Sequence, residues 1–404
     1  MDYEDMNVSI YGENLSDPNG RNSSGYLDYD REESFSMYFL EELVPVALIY
    51  GITLVVGLIG NLLIIYTVIS FRRMRTISNV FLASLATADL LVVLICVPVK
   101  FGQLFSYSWT LGEFCCKFVH YVQNVSAICS VLTLTSMSVE RYYAIMHPVK
   151  SRYQCTMSQA RRVILVIWCL SFVTAIPIIF AQIHLEVGER YRAYWCVRNW
   201  FQPWLWRSYE VYMLLLILIA PSVIMGFAYT NICHQLWVVV KDRANMSCGE
   251  MPGTEIPLRE THPRNQYSTN SKSPLNPKTK PVLVKLESDN ATVKQVIKML
   301  VAVVVLFILC WAPILITNLL TSFDVLDRLN YGYLKPMRTA FHLMSYFNSC
   351  INPCIYGFLS ANFRNSFKAA LVTCLCGKRQ KIRERGLSRT GTTSLSYAKS
   401  TFVT

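Results

Sequence analysis

Seven long apolar segments constrain this chain more than any other feature. They cover roughly residues 43–70, 78–105, 114–146, 160–183, 208–240, 293–323 and 335–358. Each is long enough for a bilayer-spanning helix, which needs about 20 apolar residues. A soluble chain of 404 residues would carry more charge than the 16% found here beside 53% hydrophobic residues. The sequence therefore predicts an all-α membrane protein built as a seven-transmembrane helix bundle.

The distribution of charge predicts how the bundle is oriented. Eleven acidic residues lie in the first 42 positions, whereas basic residues follow the first span, separate the third from the fourth, and fill the tail. Cytosolic loops of membrane proteins carry an excess of Lys and Arg. The net charge of +12 is therefore a topology signal and not a nucleic-acid footprint. We expect a multi-pass plasma-membrane protein with an extracellular N-terminus. The basic residues are Arg72, Arg73, Arg75, Lys150, Arg152, Arg161, Arg162, Lys378, Arg379, Lys381 and Arg383.

Composition divides the chain into an arm, a membrane domain and a tail. Residues 1–42 are polar and acidic, which is typical of disorder. Their sequons at Asn7, Asn14 and Asn22 predict glycosylation of an extracellular arm, and its acidity would steer a basic peptide towards the protein. The membrane domain covers 43–373, with a flexible cytosolic loop predicted at 241–292. A Ser/Thr-rich cytosolic tail at 374–404 completes the chain.

A short amphipathic helix is predicted to follow the seventh span on the inner membrane surface. Four apolar residues fall at helical spacing opposite two basic ones, and two cysteines follow that are candidates for palmitoylation. The apolar residues are Phe358, Phe363, Phe367 and Leu371, the basic ones are Arg364 and Lys368, and the cysteines are Cys374 and Cys376.

Each apolar span carries a motif that points to one family. In order they are Gly60-Asn61, Asp89 in LATADLL, Cys116 with the triplet Glu140-Arg141-Tyr142, Trp168 with Pro177, Pro221 with Tyr229, Phe307 with Trp311 and Pro313, and Asn352-Pro353-x-x-Tyr356. Over roughly 43–373 the chain resembles rhodopsin-like (class A) G-protein-coupled receptors.

The resemblance implies a conformational switch at the cytosolic end. Pro313 would hinge the sixth span, because proline interrupts the helical hydrogen-bond ladder, and Trp311 would sense the ligand. Arg141 would meet Tyr229 and Tyr356 as a cleft opens for a heterotrimeric G protein. The plain alternative is an arginine that is salt-bridged or snorkels at the membrane edge. Residues 292–294 supply no acid, so the resting contact of Arg141 is expected to rest on Glu140 alone.

Two further sites follow from the resemblance. The family arrangement would surround Asp89 with polar residues, a set that resembles an allosteric sodium pocket and is the one cofactor site expected. Those residues are Asn61, Ser130, Asn348 and Ser349. The alternative is a hydrogen-bonded core aspartate. The family register also pairs Cys116 with Cys196 of an outer hairpin loop, with the adjacent Cys115 as competitor.

Two positions narrow the ligand class. Gln123 stands where amine receptors of the family carry Asp, and Tyr346 stands where opsins carry the retinal-binding Lys. Segments of the fourth, fifth and sixth spans resemble cholecystokinin and orexin receptors, which implies an extracellular neuropeptide. Cholecystokinin receptors carry an arginine where Thr321 stands, which argues against their acidic peptide. The expected ligand-binding residues, each with helix packing as the alternative, are Lys100, Gln123, Trp195, Arg198, Asn318, His342 and Tyr346.

Other functions are weighed against this interpretation. We expect signalling of the Gq type through calcium, with receptor kinases and arrestin acting on the tail. A class A receptor for a non-peptide ligand such as a lipid is the first alternative. A seven-helix transporter is the second, but the sequence shows no inverted repeat of the kind that many transporters contain. No nucleophile–base or metal spacing suggests an enzyme, and no metal other than sodium is expected.

Overall fold

The computed structural model describes residues 40–106, 108–187, 193–248, 280–328 and 333–376. The sequons at Asn7, Asn14 and Asn22 and most of the tail lie outside these residues, as do the side chains of Cys374 and Cys376. Glycosylation and palmitoylation therefore stay predictions.

The described residues form twelve helices and one β-hairpin. In chain order these are α1 (Leu40–Ser70), α2 (Ile77–Leu91), α3 (Val97–Gln103), α4 (Gly112–Met146), α5 (Pro148–Gln154), α6 (Met157–Thr174), α7 (Ile178–Ala181), β1 (Gln182–Val187), β2 (Ala193–Arg198), α8 (Pro203–Met213), α9 (Ala220–Cys248), α10 (Lys280–Ser322), α11 (Leu334–Leu359) and α12 (Ala361–Cys376). A 3₁₀ turn covers Arg72–Met74, and π-helical turns at Val92–Cys96 and Leu214–Ile219 join α2 to α3 and α8 to α9.

The predicted seven-helix bundle is confirmed. Six helical segments of the described chain are long and apolar enough to cross a bilayer by length and composition alone. The seventh, α11, is not among them because it carries many polar residues. Four of these, Ser345, Asn348, Ser349 and Asn352, are at least 96% buried between helices. A helix whose polar face is covered by its neighbours tolerates such residues at membrane depth.

Prolines shape several spans. Pro98 and Pro221 lack the N–H that would bond to the carbonyl four residues earlier, and both lie close to a π-helical turn. Such a turn offsets the residues after it relative to an uninterrupted α-helix. Pro313 and Pro353 instead lie inside the continuous helices α10 and α11.

The long helix α4 is central in the bundle and packs against α2, α6 and α9. Its inner residues, such as Ile128 and Met137, are fully buried in the main apolar core. Large apolar side chains on other helices, including Leu48 and Leu165, are exposed. An apolar outer surface is expected where lipid is the solvent.

Two element boundaries differ from the predicted ranges. Within the predicted loop at 241–292, α9 continues to Cys248 and α10 begins at Lys280. The fourth span is helical only to Ala181, since Gln182 begins β1.

The last helix, α12, packs against α1 and α11, so it is more than a surface helix. Phe363 is 2% exposed, and its ring lies 5.7 Å from both Tyr356 and Phe367. Phe358 does not share this face. It belongs to α11 and is 80% exposed. The helix thus ties the inner ends of the first and seventh spans together.

Gly60 allows the first and seventh spans to approach closely. A Cβ atom at this position would lie 2.5 Å from Pro353 Cβ and 2.8 Å from Pro353 Cγ. We predict that Gly60→Ala destabilises the receptor by about 1–3 kcal/mol, because a packed interface cannot accept the extra methyl without shifting. The measurement is the thermal unfolding midpoint of purified protein, together with surface expression.

Gly51→Ala on the same helix is the matched control. A Cβ there meets nothing within 4 Å, so this variant should be neutral or slightly stabilising. Equal unfolding midpoints for the two variants would contradict the close-packing argument.

Candidate functional site

A cavity of about 370 Å³ opens at the outer end of the bundle. Ligand pockets in proteins commonly enclose about 300–1,000 Å³. Six of the seven predicted ligand-binding residues line this cavity: Lys100, Gln123, Arg198, Asn318, His342 and Tyr346. They come from the second, third, sixth and seventh spans and from β2, so elements far apart in sequence build one site.

Trp195 is the exception among the predicted residues. It does not line the cavity and is 38% exposed, whereas its strand neighbours Cys196 and Arg198 do line it. Val197 lines the cavity as well, so the alternation of side chains along β2 does not explain the position of Trp195. A role for Trp195 at the rim therefore stays a prediction.

The hairpin β1–β2 forms a lid over the third span. Its strands pair in antiparallel register, with His184 opposite Cys196. A disulfide joins Cys196 to Cys116 of α4, as predicted, with 5.7 Å between the Cα atoms, and Cys115 remains a free thiol. A second attachment comes from the loop before α4, where the Trp109 backbone N–H donates to the Tyr194 carbonyl at 2.6 Å.

One buried ion pair crosses the cavity wall. Arg198 Nε donates to Glu210 Oε1 at 2.9 Å, and Arg198 Nη1 donates to Gln182 Oε1 at 2.8 Å. The guanidinium also lies over the Tyr209 ring, 4.9 Å from its centroid. Glu210 is only 1% exposed, so its charge is committed to this pair. The predicted ligand residue Arg198 thus has a partner already.

The deeper wall is joined by a hydrogen bond between the third and seventh spans. Tyr346 Oη donates to Gln123 Oε1 at 2.9 Å. Tyr346 is 1% exposed, and its ring lies 5.8 Å from that of Tyr50 on α1. Trp311 lies below, and its buried indole N–H has no hydrogen-bond partner among the described residues. A ligand that reaches this depth meets an unused donor.

An arginine reaches Thr321 from another helix. Arg338 of α11 donates to Thr321 Oγ1 at 3.0 Å, and both residues line the cavity. Although position 321 is threonine, Arg338 therefore supplies a guanidinium to this part of the cavity. Sequence comparison along α10 alone has no signal for this, because the group arrives from the seventh span.

The outer rim is held by a charged cluster that sequence reasoning missed. Asp324 accepts from Arg207 at 2.9 Å and from Arg328 at 2.7 Å, which links the fifth span to the segment after α10. The Arg328 hydrogen bond, assisted by Arg207 and opposed by partial burial, lowers the pKa of Asp324. Asp324 adopts a left-handed backbone conformation (φ 60°), which aspartate tolerates better than most residues.

Several other lining residues were also not predicted. They are His120, Asn124, Gln182, Trp206, Tyr209, Glu210, Arg328 and Arg338. Asn124 lies in a sequon, yet its side chain donates to Tyr209 Oη at 2.9 Å inside the bundle. Asn124 follows Gln123 directly and lies four residues after His120, which places it near them on α4. This pattern could have indicated a lining residue, but it is equally typical of helix packing.

Below the cavity, Asp89 lies in a buried polar network. Asn352 Nδ2 donates to Asp89 Oδ2 at 2.9 Å, and the Ser349 side chain lies near the same carboxylate. Asn61 donates to the Ser349 carbonyl at 2.8 Å. The predicted neighbours Ser130 and Asn348 are 2% and 4% exposed. The first, second and seventh spans therefore meet at this point.

At the end of the bundle opposite the cavity, Arg141 is held by more than Glu140. The Arg141 Nε and Glu140 Oε2 atoms lie 3.0 Å apart, although the N–H is not aligned for a hydrogen bond. Arg141 also donates to Ser78 Oγ, and Ser78 donates in turn to Glu140 Oε2 at 3.3 Å. The expectation that the contact rests on Glu140 alone is wrong, because the start of α2 supplies a third member.

The other predicted switch residues lie between the cavity and this end. Tyr229 Oη bonds to Ser138 at 2.9 Å and not to Arg141, and Tyr356 is fully buried with no described partner for its hydroxyl. Phe307 packs under Trp311, with the ring centroids 6.1 Å apart. Tyr142 instead faces Phe227, Tyr143 and His147. Pro313 and Pro353 lie within their helices as predicted from sequence.

Comparison with known proteins identifies the family. A model described as "7 transmembrane receptor (rhodopsin family)" matches residues 60–356. A QRFP-like peptide receptor of Branchiostoma floridae is 30% identical, covering 83% of this chain and 80% of the relative. A cholecystokinin receptor of Xenopus laevis is also 30% identical, over 81% of this chain and 76% of the relative. A pyroglutamylated RF-amide peptide receptor of Rattus norvegicus is 28% identical, over 82% and 71%.

The chain therefore belongs to the rhodopsin family of seven-transmembrane receptors. It is a multi-pass membrane protein of a family of signalling receptors and not an enzyme. The transporter alternative is thereby excluded, and the resemblance inferred from the motifs is confirmed.

The lid generates a prediction that separates the two adjacent cysteines. Cys116→Ser should lower surface expression and the thermal midpoint, because the bond closes a sequence separation of 80 residues. Removing such a constraint typically costs about 2–5 kcal/mol. Cys115→Ser should leave both measurements near wild type, since its thiol is free. Similar losses in the two variants, or peptide mapping that pairs Cys115 with Cys196, would contradict this.

Proposed function

We propose that this protein is a receptor for an extracellular peptide and that it transmits binding by opening a cytosolic cleft to a heterotrimeric G protein. The observation that carries the proposal is the outer cavity, which is lined by side chains from five spans and a disulfide-bonded lid and includes four cationic residues. The relatives reported above include a cholecystokinin receptor and receptors for RF-amide-type peptides. A neutral lipid is a poorer candidate, because the lining includes four cationic residues.

The buried network below the cavity supports a two-state mechanism. A ligand that contacts Trp311 more favourably in one state would bias α10, which contains Pro313. In the state described, Tyr229 bonds to Ser138 and Arg141 bonds to Ser78. Opening of the cleft would free Arg141 to meet Tyr229 and Tyr356. Arginine suits this exchange because its planar group forms several directed hydrogen bonds.

Other features complete the proposal. The N-terminal arm is extracellular and glycosylated, Cys374 and Cys376 are palmitoylated, and receptor kinases and arrestin act on the cytosolic tail. Signalling is of the Gq type and raises calcium. Transfected cells that respond to one pool of amidated neuropeptides with calcium release would support the proposal. Responses only to lipids, or no response to any peptide at confirmed surface expression, would contradict it.

Asp89 is proposed to hold an allosteric sodium ion. The carboxylate is 1% exposed and close to Ser349 and Asn352, and the family arrangement adds the buried residues Ser130 and Asn348. Oxygen-rich surroundings suit a small hard cation, and a buried ionisable group inside a membrane is commonly functional. Sodium would then favour the closed state over the state that binds the G protein.

We predict that Asp89→Asn reaches the cell surface and removes the dependence of agonist potency on sodium. The amide still fits the hydrogen bond with Asn352 but lacks the charge that attracts the ion. Agonist potency is measured in membranes at matched ionic strength with sodium or a bulky organic cation. Asp324→Asn at the outer rim is the control and should keep the sodium response. An unchanged response in Asp89→Asn would return this residue to a structural role.

We predict that Arg141→Lys keeps ligand binding but weakens G-protein activation, and that Arg141→Ala nearly abolishes it. Lysine offers a point charge and cannot reproduce the guanidinium contacts with Glu140 and Ser78 or with an incoming partner. Nucleotide exchange and agonist binding are measured at equal surface density. Arg162→Ala, at an exposed arginine of α6, is the control and should couple normally. Full coupling by Arg141→Ala would remove the proposed mechanism.

A further inference from the structure

The charge inside the outer cavity is one-sided. Four cationic residues line it, Lys100, Arg198, Arg328 and Arg338, whereas the only carboxylate that lines it within the described chain is Glu210. Glu210 is 1% exposed and paired with Arg198. Arg328 forms its ion pair with Asp324 at the rim. The pairing of charges therefore leaves an excess of positive charge facing the cavity.

Lys100 is a cavity cation that belongs to neither of these ion pairs. Its ammonium has no carboxylate partner in the part of the chain that the structure describes. The Lys100 Nζ atom lies over the Trp109 ring, 6.0 Å from the ring centroid. Two imidazoles, His120 and His342, and the Arg198 guanidinium lie within electrostatic range of it. A second cation and two hydrogen-bonding rings around an ammonium make a concave, anion-attracting surface.

The local fold explains why Lys100 points into the cavity. The π-helical turn at Val92–Cys96 and Pro98 precede it in the second span. This wider turn offsets the following residues from the path of a continuous α-helix. His120 is held beside it, because its Nδ1 bonds to the Cys116 carbonyl at 2.8 Å and Cys116 is fixed by the disulfide. The arrangement is thus built by the backbone and does not depend on a flexible side chain alone.

We propose that this part of the cavity binds an anionic group of the ligand, with Lys100 as its counter-ion and His120 and His342 as flanking hydrogen-bond partners. The inference rests on the proposed function and specifies the ligand further. Lys100 is half-buried in this cavity, and an entering carboxylate or sulfate would pair with an ammonium that has no carboxylate partner among the described residues. The acidic arm at 1–42 would attract a basic segment of the peptide that stays outside the cavity. A ligand with a basic segment and an anionic end would therefore suit both the arm and the cavity.

A four-member peptide series tests the charge preference directly. The parent is N-acetyl-Tyr-Gly-Xaa-Leu-amide, with Xaa as Glu, Gln or Lys, and the fourth member has Gln and a free C-terminal carboxylate. Each peptide is added at up to millimolar concentration to purified full-length receptor, and the thermal midpoint gives an apparent Kd. The Glu peptide and the free acid distinguish a side-chain anion from a terminal one.

We expect at least one anionic member to bind the wild type more tightly than the neutral Gln amide, and the Lys member to bind most weakly. Lys100→Gln should weaken the anionic peptide about tenfold, which is near the lower end of what a hydrogen bond between charged groups contributes. Lys100→Arg, which keeps the charge, should keep the preference. Lys117→Gln is the matched control, because Lys117 is paired with Glu113 and does not line the cavity.

Three outcomes would overturn the inference. They are a preference for the neutral or Lys peptide, no shift with any member, and an anion preference that survives in Lys100→Gln. If Lys100→Gln does not fold, Lys100→Met and Lys100→Arg supply the same comparison of lost and retained charge. The assay does not measure signalling. Failure to activate a G protein would therefore contradict the proposed function and leave the charge preference intact. Loss of the charge preference would contradict this inference and leave the proposed function intact.

Discussion

The arrangement of the bundle depends on the cost of placing polar groups at membrane depth. Asp89 is 1% exposed and far from bulk water, so it requires partners from neighbouring helices. Asn352 provides one from the seventh span, and Asn61 ties the same region to the first span through the Ser349 carbonyl. An apolar helix surface packs almost equally well against lipid or against another helix, whereas a directed hydrogen bond requires one particular partner. These bonds therefore fix which helices are neighbours.

The same physics acts differently at the two ends of the molecule. In the cavity, Arg198 and Glu210 form an ion pair, whereas the Lys100 ammonium has no carboxylate partner among the described residues. At the cytosolic end, Arg141, Glu140 and Ser78 form a closed set with no charge left over. A charged group without a partner favours the binding of an opposite charge. A charged group that already has its partners favours the conformation in which those contacts form. In the proposed mechanism, the cavity therefore offers Lys100 to a ligand while the contacts of Arg141 hold the state described here.

Much of the fold could be predicted from the sequence, because apolar length and single-residue motifs are local signals. The seven spans were predicted in this way, and the family resemblance added the Cys116–Cys196 pair and six of the residues that line the cavity. The errors share one cause, which is that position along a chain does not give orientation in space. Arg338 reaches Thr321 from a different helix, and Trp195 does not line the cavity although the adjacent Cys196 does. The Asp324 rim cluster depends on a left-handed residue that no periodic pattern indicates.

The site also shows why a missing residue in one helix is weak evidence about a ligand. Thr321 in place of arginine argued against an acidic ligand when α10 was considered alone. In three dimensions the Arg338 guanidinium contacts that threonine, and Lys100 adds a second cation from the second span. Electrostatic potential in a cavity sums over all charged groups around it, whichever helix carries them. The proposed preference for an anionic ligand group therefore depends on the whole lining, which includes four cationic residues and one carboxylate among the described residues.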